Sequence, residues 1–291
     1  MPFILNKGVS MEAIIYLLIF LMGAFFGSFF TLAVYRIPLG ENITHKHSFC
    51  PNCHHKLGIL DLFPIFSYLF LKGKCRYCKK PIRIRYFLLE ILSGFTFLLL
   101  ALSFHFDFYE LEIAKLVYFV FTILYFCSLF IIAGIDLEKV TIQKSVLVYG
   151  LFVVTGYILY LYIVEQASIY RYVIYLFIML LFVLLDTWLL KKKAQENYTL
   201  SIATLCFYIA LFAGEQMLVL TIVYTLISIA LYVLLEKIRN KKKNKRIDKS
   251  QIDSDMEKEE VESKPIPVGF FLCTTNIVLF ILFHFVIEYM V

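Results

Sequence analysis

The sequence contains few charged residues and little glycine or proline. Only 17% of its 291 residues are charged and 61% are hydrophobic, whereas soluble globular domains are about 45–50% apolar. This shortage of charge excludes an ordinary soluble enzyme. The 12 glycines and 7 prolines are too few for a fibrous or low-complexity chain. The composition therefore predicts a polytopic membrane protein.

Eight apolar runs reach or approach the ~20 residues with which a helix crosses a bilayer. They cover residues 11–34, 86–104, 113–135, 145–164, 169–190, 198–213, 217–235 and 266–289. Each is predicted to be a helix, because backbone groups in lipid must be hydrogen-bonded within the segment. No small-residue cleavage site follows the first run, which is interpreted as an uncleaved anchor. The predicted fold is all-α, with about eight transmembrane helices and a small cytoplasmic insert that resembles a zinc ribbon.

The distribution of lysine and arginine predicts the orientation of these helices. Residues 36–85 contain only two acidic residues, Glu41 and Asp61, and ten cations: Arg36, Lys46, Lys56, Lys72, Lys74, Arg76, Lys79, Lys80, Arg83 and Arg85. Loops with such an excess of cations face the cytoplasm. We therefore interpret the cations that give the net charge of +6 as determinants of membrane topology that lie in contact with membrane lipid. We expect no nucleic-acid partner.

Composition divides the chain into five predicted parts. Residues 1–35 form the first transmembrane helix, 36–85 a cytoplasmic four-cysteine domain, 86–235 a six-helix membrane bundle and 265–291 the last helix. Residues 236–264 contain a basic block followed by an acidic block without apolar periodicity. Such a segment cannot bury a core and is predicted to be a disordered cytoplasmic loop.

Four cysteines in two C-x-x-C pairs predict a zinc site. Cys50 and Cys53 form the first pair, and Cys75 and Cys78 form the second. Four thiolates at this spacing are typical of a closed, structural zinc site, and a cytoplasmic location disfavours disulfides. A domain of about 50 residues has little core of its own, so metal binding would stabilise it. Four unligated thiols are the alternative.

The motifs of residues 23–95 resemble those of the bacterial prepilin peptidases, the type IV leader peptidases. The matching segments are Gly27-Ser28-Phe29, Tyr35-Arg36-Ile37-Pro38-Leu39-Gly40-Glu41, the two cysteine pairs, Leu60-Asp61-Leu62-Phe63-Pro64, Gly73-Lys74, Ile82-Arg83-Ile84-Arg85-Tyr86 and Leu89-Glu90. The resemblance implies a multi-pass protein of the bacterial inner membrane with a peptidase-like core in residues 86–235. Glu41 and Glu90 match acidic positions of the family, and their roles are left open.

The resemblance also implies an activity. These enzymes cleave the basic leader of type IV pilin-like precursors at the cytoplasmic face of the membrane. Many also methylate the new amino terminus with S-adenosylmethionine as methyl donor. Their peptidase reaction uses two aspartates on different helices, and the four-cysteine domain is associated with the bifunctional members.

Asp136 resembles the first of these aspartates, because it ends the third apolar run and is followed by Leu-Glu. The second aspartate of the family lies in a Gly-x-Gly-Asp motif that this chain lacks, since residues 191–200 contain neither Gly nor Asp. Two residues could replace it. Asp186 lies within the fifth run, where an ionisable residue is costly and indicates function, and Glu196 lies closer to the family position. The third possibility is that no second carboxylate exists.

The sequence therefore predicts a membrane aspartic prepilin leader peptidase, with Asp136 and Asp186 as catalytic residues and with possible N-methyltransferase activity. Carboxylates hydrolyse peptides in pairs, since one activates water while the other polarises the carbonyl. The missing motif leaves two alternatives. The chain could be a proteolytically inactive pilin-binding or assembly protein, or it could retain only the methyltransferase.

Overall fold

The computed structural model describes residues 11–43, 47–50, 52–106, 112–164, 166, 168, 170–193, 198–250 and 265–290. Within these residues the chain is helical, with two isolated β-bridges and no strand. The nine α-helices of this part are α1 (Met11–Arg36), α2 (Phe66–Phe70), α3 (Ile84–Ser103), α4 (Ile113–Lys139), α5 (Lys144–Ile163), α6 (Tyr170–Lys193), α7 (Tyr198–Ala213), α8 (Glu215–Ser250) and α9 (Val268–Met290). The predicted all-α fold is confirmed.

Six of these helices are long and apolar enough to cross a membrane: α1, α3, α4, α5, α8 and α9. Two shorter apolar helices, within α6 and α7, occupy the other two predicted runs. The short α7 buries the hydroxyls of Ser201, Thr204 and Tyr208 against its neighbours. A helix of this composition is suited to a bundle interior, where small and polar residues permit close packing.

Helices α1 and α3 lie side by side in opposite directions and approach closely because small residues line their contact. A Cβ atom at Gly23 would lie 2.7 Å from the carbonyl oxygen of Ser93 and 2.9 Å from the Cα of Gly94. The Ser93 hydroxyl also donates a 2.8 Å hydrogen bond to the Gly23 carbonyl. These contacts fix the register of the two helices, so that Gly27 of α1 lies level with Glu90 of α3.

Helix α4 forms the centre of the bundle. It contributes a continuous set of buried residues, among them Tyr125, Phe126, Leu129 and Ile132. The Tyr125 hydroxyl donates a 2.7 Å hydrogen bond to the Asn276 side chain of α9, so that a polar pair joins the two helices in an apolar surrounding. The central position of α4 carries its last turn, which contains Asp136, into contact with both α7 and α9.

Helix α8 continues to Ser250, well beyond its apolar part. Residues 236–250 are therefore helical where the sequence predicts a disordered loop, and residues 251–264 lie outside the described part. The stretch is rich in lysine and arginine, which favour helix, and contains no glycine or proline. Since a membrane helix already provides the nucleus, extension needs no new nucleation.

Candidate functional site

The two cysteine pairs adopt the same turn. In each, the backbone amide four residues after the first cysteine donates to that cysteine's carbonyl: His54 to Cys50 at 2.8 Å, and Lys79 to Cys75 at 3.0 Å. His54 and Lys79 have positive φ angles of 56° and 58°, which bend each turn back toward its start. The repeated turn presents both members of each pair toward one point.

The four thiols form a cluster whose size fits a tetrahedral zinc ion. The Sγ atoms of Cys50, Cys53, Cys75 and Cys78 lie within 4.8 Å of one another, and those of Cys50 and Cys78 are 3.9 Å apart. Zn–S bonds of about 2.3 Å in a tetrahedron require S···S separations of ~3.8 Å. The donor set and its spacing therefore match a closed zinc site.

The thiols of this cluster already differ in acidity. Burial tends to raise the pKa of Cys50, but hydrogen bonds from the amides of Cys53 and Asn52 and from neighbouring thiols lower it to about 7. At Cys53 the amide of His55 acts to lower the pKa, whereas burial and the adjacent Cys50 raise it to about 11. Sulfur atoms crowded in this way repel one another as thiolates, and a bound cation would remove that repulsion.

The second site surrounds Asp136 at the end of α4. This side chain is fully buried, with 0% exposure. Its Oδ2 atom accepts two hydrogen bonds, one of 3.0 Å from the Tyr198 hydroxyl of α7 and one of 2.9 Å from the Phe270 amide of α9. Its Oδ1 atom is buried without a hydrogen-bond partner in the described structure. Asp136 therefore has one oxygen held by the protein and one oxygen unused.

The amino terminus of α9 shapes this carboxylate site. Helix α9 begins at Val268, so the amides of Gly269 and Phe270 belong to its first turn and have no partner within the helix. The Gly269 amide donates a 3.2 Å hydrogen bond to the Tyr198 hydroxyl, and the Phe270 amide bonds to Asp136 directly. The positive end of the helix dipole also favours a negative charge at this position.

Glycine at position 269 allows this close approach. A Cβ atom there would lie 3.1 Å from Oδ2 of Asp136, 3.2 Å from its Cγ and 3.2 Å from the Cδ1 of Ile142. The segment Pro265-Ile266-Pro267-Val268-Gly269 thus leads into α9 directly against Asp136.

The described part of the structure does not locate either candidate for a second carboxylate relative to Asp136. The backbone of Asp186 belongs to α6, but its side chain lies outside the described part, as does the whole of Glu196. Both assignments remain predictions. Among the described residues, the polar side chain that hydrogen-bonds Asp136 is that of Tyr198. This partner is not predicted from the sequence, because only carboxylates are considered there. Its position at the first residue of α7, next to the expected motif, is the signal that could have identified it.

Other family-matching acidic residues lie in the amino-terminal region. Glu90, in α3, accepts a 2.8 Å hydrogen bond from the Ile65 amide. The Glu41 amide donates to the carbonyl of Arg36 at 3.1 Å. An ion pair between Arg85, at the start of α3, and Glu138, near the end of α4, joins this region to the helix of Asp136.

Known proteins resemble the amino-terminal part of the chain. Residues 21–104 match the model of the bacterial peptidase A24 N-terminal domain. The prepilin leader peptidase/N-methyltransferase of Klebsiella pneumoniae is 41% identical over 87 residues, 28% of this chain and 38% of that protein. The protein of the same name from Bacillus subtilis (strain 168) is 32% identical over 134 residues, 46% of this chain and 50% of the relative. That of Myxococcus xanthus (strain DK1622) is 39% identical over 79 residues, 27% of this chain and 24% of the relative.

The matched regions thus span half or less of the length of these relatives, and no solved structure matches the chain. The six apolar helices and the bacterial relatives together indicate a bacterial membrane protein. The resemblance found in the sequence is confirmed, because residues 21–104 of this chain are similar to the amino-terminal domain of the bacterial prepilin peptidases.

Proposed function

We propose that this chain is a leader peptidase of type IV prepilin-like precursors, acting at the cytoplasmic face of the bacterial inner membrane. The observation that carries the proposal is Asp136, a fully buried carboxylate at the end of α4 with one oxygen unused. A buried carboxylate without a structural ion pair is costly and indicates function. The curated relatives, each named a prepilin leader peptidase/N-methyltransferase, support the substrate class.

In this proposal Asp136 is the ionised member of the catalytic pair. The Tyr198 hydroxyl and the Phe270 amide both donate to Oδ2, and donors of this kind favour the charged form. The free Oδ1 is then available to accept a proton from water. A second carboxyl group must polarise the scissile carbonyl, and Asp186 remains our candidate, with Glu196 as the alternative. If the chain has no second carboxylate, it is the proteolytically inactive relative considered below. Because Asp136 is fully buried, cleavage also requires the site to open.

The four cysteines would hold one structural zinc ion. All four positions of a tetrahedral site are filled by thiolates, so the metal would have no open position for water. Its contribution is to the folding of the insert, whose buried apolar side chains in the described part are those of Cys50, Pro64 and Cys75. S-adenosylmethionine would donate the methyl group if the second activity is retained. The acceptor would be the freed amino group of the cleaved substrate, which must be neutral to attack.

A second candidate function is that of a proteolytically inactive relative that binds prepilins or assembly partners, or that only methylates them. One observation favours it. The side chain that hydrogen-bonds Asp136 is a phenol, Tyr198, and the other donor is a helix amide. The same contacts would stabilise a carboxylate that only caps α9.

Processing of a co-expressed prepilin, detected as a shift on a gel, tests the proposal. Cleavage by the wild-type chain and its loss in Asp136→Asn support a peptidase, since a carboxamide cannot act as a base. Glu138→Gln is the matched control, because this residue lies on the same helix and pairs with Arg85, and we expect it to cleave normally. Asp186→Asn should be as inactive as Asp136→Asn if Asp186 completes the pair, and the double variant should be no worse.

Absence of cleavage by the wild-type chain would refute the peptidase. In that case, incubation of a pre-cleaved pilin with the chain and S-adenosylmethionine separates the two remaining functions. A methylated amino terminus, detected by mass spectrometry, indicates a methyltransferase, whereas co-purification of the prepilin without modification indicates a binding protein.

A further inference from the structure

An apolar segment of the four-cysteine insert covers residues 59–70 and exposes most of its large side chains. Ile59 is 86% exposed, Leu60 75% and Phe70 82%, and Leu62, Phe63, Phe66 and Leu69 are exposed as well. Between Leu60 and Phe70 lies an open cleft of about 470 Å³. In a soluble domain, a contiguous exposed apolar surface of this kind marks a site of contact with another protein or with a membrane.

This segment does not extend away from the bundle but runs back along α1 and α3. The Tyr68 ring stacks on Phe87 of α3 with centroids 4.8 Å apart. The Ile65 amide reaches Glu90, almost one turn further along α3. The Phe63 ring lies 5.4 Å from that of Phe25 in the middle of α1. The segment therefore ascends the side of the bundle.

The depth of these contacts follows from helix geometry. Arg36 ends α1, and the Arg85–Glu138 ion pair lies at the same end of the bundle, so these charges mark its basic end. Phe25 precedes Arg36 by eleven residues, or about 16 Å at 1.5 Å per residue, and Glu90 follows Arg85 by five residues, or about 7 Å. One leaflet of hydrocarbon is ~15 Å thick. Residues 63–65 therefore contact the bundle at membrane depth.

Six backbone amides of the segment are hydrogen-bonded within the protein. The amides of Asp61 and Leu62 bond to the carbonyl of Gly58, and those of Phe66, Ser67 and Leu69 bond to carbonyls within the segment. Pro64 has no amide hydrogen. The Ile65 amide is accepted by the Glu90 carboxylate instead, a partner from a neighbouring helix of the kind that non-helical backbone at membrane depth requires.

Charge at the end of the segment identifies its surrounding as lipid. The next thirteen residues carry six exposed cations: Lys72, Lys74, Arg76, Lys79, Lys80 and Arg83. Arg76 forms an ion pair with Asp61, the acidic residue of the segment, and so compensates its charge. Basic clusters beside a membrane bind anionic headgroups, and apolar side chains followed by such a cluster match the two layers of a leaflet in order. We propose that residues 59–70 are a re-entrant segment immersed in the bilayer leaflet at the basic end of the bundle, although the whole of residues 36–85 is predicted to be a cytoplasmic domain.

Tryptophan fluorescence of the full chain in vesicles tests this. The only tryptophan, Trp188, is replaced by phenylalanine, and single tryptophans are introduced as Phe66→Trp and Phe70→Trp. Phe49→Trp is the matched control, because Phe49 is exposed and belongs to the first cysteine turn, where it stacks on His54. The vesicles contain phosphatidylglycerol and phosphatidylcholine brominated on the acyl chains, which quench tryptophan only on contact.

We expect blue-shifted emission and strong quenching by the brominated lipid for Phe66→Trp and Phe70→Trp. For Phe49→Trp we expect red-shifted emission and quenching by aqueous acrylamide. Acrylamide quenching of the two test variants to the level of the control would overturn the proposal. Protection from both quenchers would also overturn it, since another protein or a second copy of the chain would then cover the segment. Gel filtration identifies a misfolded variant, and the two positions are measured independently of any prepilin.

Discussion

The hydroxyl of Tyr198 is expected to stabilise the protein through Asp136, and Tyr198→Phe isolates this contribution. The substitution removes only the hydroxyl, which donates to Asp136 at 3.0 Å and accepts from the Gly269 amide at 3.2 Å. The ring stays in place, so no cavity is created. After the change, the Oδ2 atom of Asp136 keeps one of its two donors, the Phe270 amide at 2.9 Å.

The size of the effect follows from the kind of bond that is lost. A hydrogen bond to a charged group contributes about 1.5–3 kcal/mol, and a buried acceptor that loses its partner adds a desolvation cost. We expect Tyr198→Phe to lower the free energy of unfolding by about 2 kcal/mol. In a double-mutant cycle with Asp136→Ala, most of this energy should appear as coupling, because the two residues are in contact.

Unfolding by SDS titration in mixed micelles measures the four corners of this cycle. Tyr208→Phe is the matched control, since Tyr208 is a fully buried tyrosine of the same helix whose hydroxyl lies 2.6 Å from that of Ser128. It is ten residues from Tyr198, about 15 Å along α7, and should combine additively with Asp136→Ala to within ~0.5 kcal/mol. Equal, additive behaviour of both tyrosines would refute the tyrosine–carboxylate contact.

Three further predictions concern other parts of the molecule. Elemental analysis of purified protein should find about one zinc per chain, and Cys75→Ser should lower this value whereas Cys206→Ser, in α7, should not. Gly269→Ala should displace Asp136, because the new Cβ would lie 3.1 Å from its Oδ2, and should destabilise the protein by about 1–3 kcal/mol in the same titration. Glu90→Ala should expose residues 59–70 to limited proteolysis, whereas Glu90→Gln keeps an acceptor for the amide and should resist; equal cleavage of both would contradict this role.

The helices could be predicted from the sequence because each requirement acts within one segment. A run of about 20 apolar residues has no alternative to helix in lipid, and in the described part of the chain a helix occupies each of the eight predicted runs. The cysteine turns are equally local, since each cysteine pair and the residue with positive φ that closes its turn lie within six positions. The end of α8 was not predicted, because composition alone does not distinguish a charged helix from a charged loop when a preceding helix supplies the nucleus.

The surroundings of Asp136 could not be predicted, because three separate helices supply them. Tyr198 follows Asp136 by 62 residues and Phe270 follows it by 134, so no local spacing connects them. The sequence did identify Asp136 itself and the Pro265–Gly269 landmark, but it gave no indication that the landmark contacts the aspartate. That contact depends on how α9 packs on α4, where the polar pair of Tyr125 and Asn276 holds the two helices in register.

The amino-terminal region and the surroundings of Asp136 place different requirements on their residues. Residues 21–104 are matched by the family model. In this region each structural feature needs one particular residue type: glycine where α1 and α3 touch, and cysteine at the four positions around one point. The carboxylate of Asp136, by contrast, requires hydrogen-bond donors at given places. Here the hydroxyl of a tyrosine and the amide of a helix provide them. Because several residue types meet such a requirement, the sequence does not reveal these contacts, and the chemistry of Asp136 has to be measured on the chain itself.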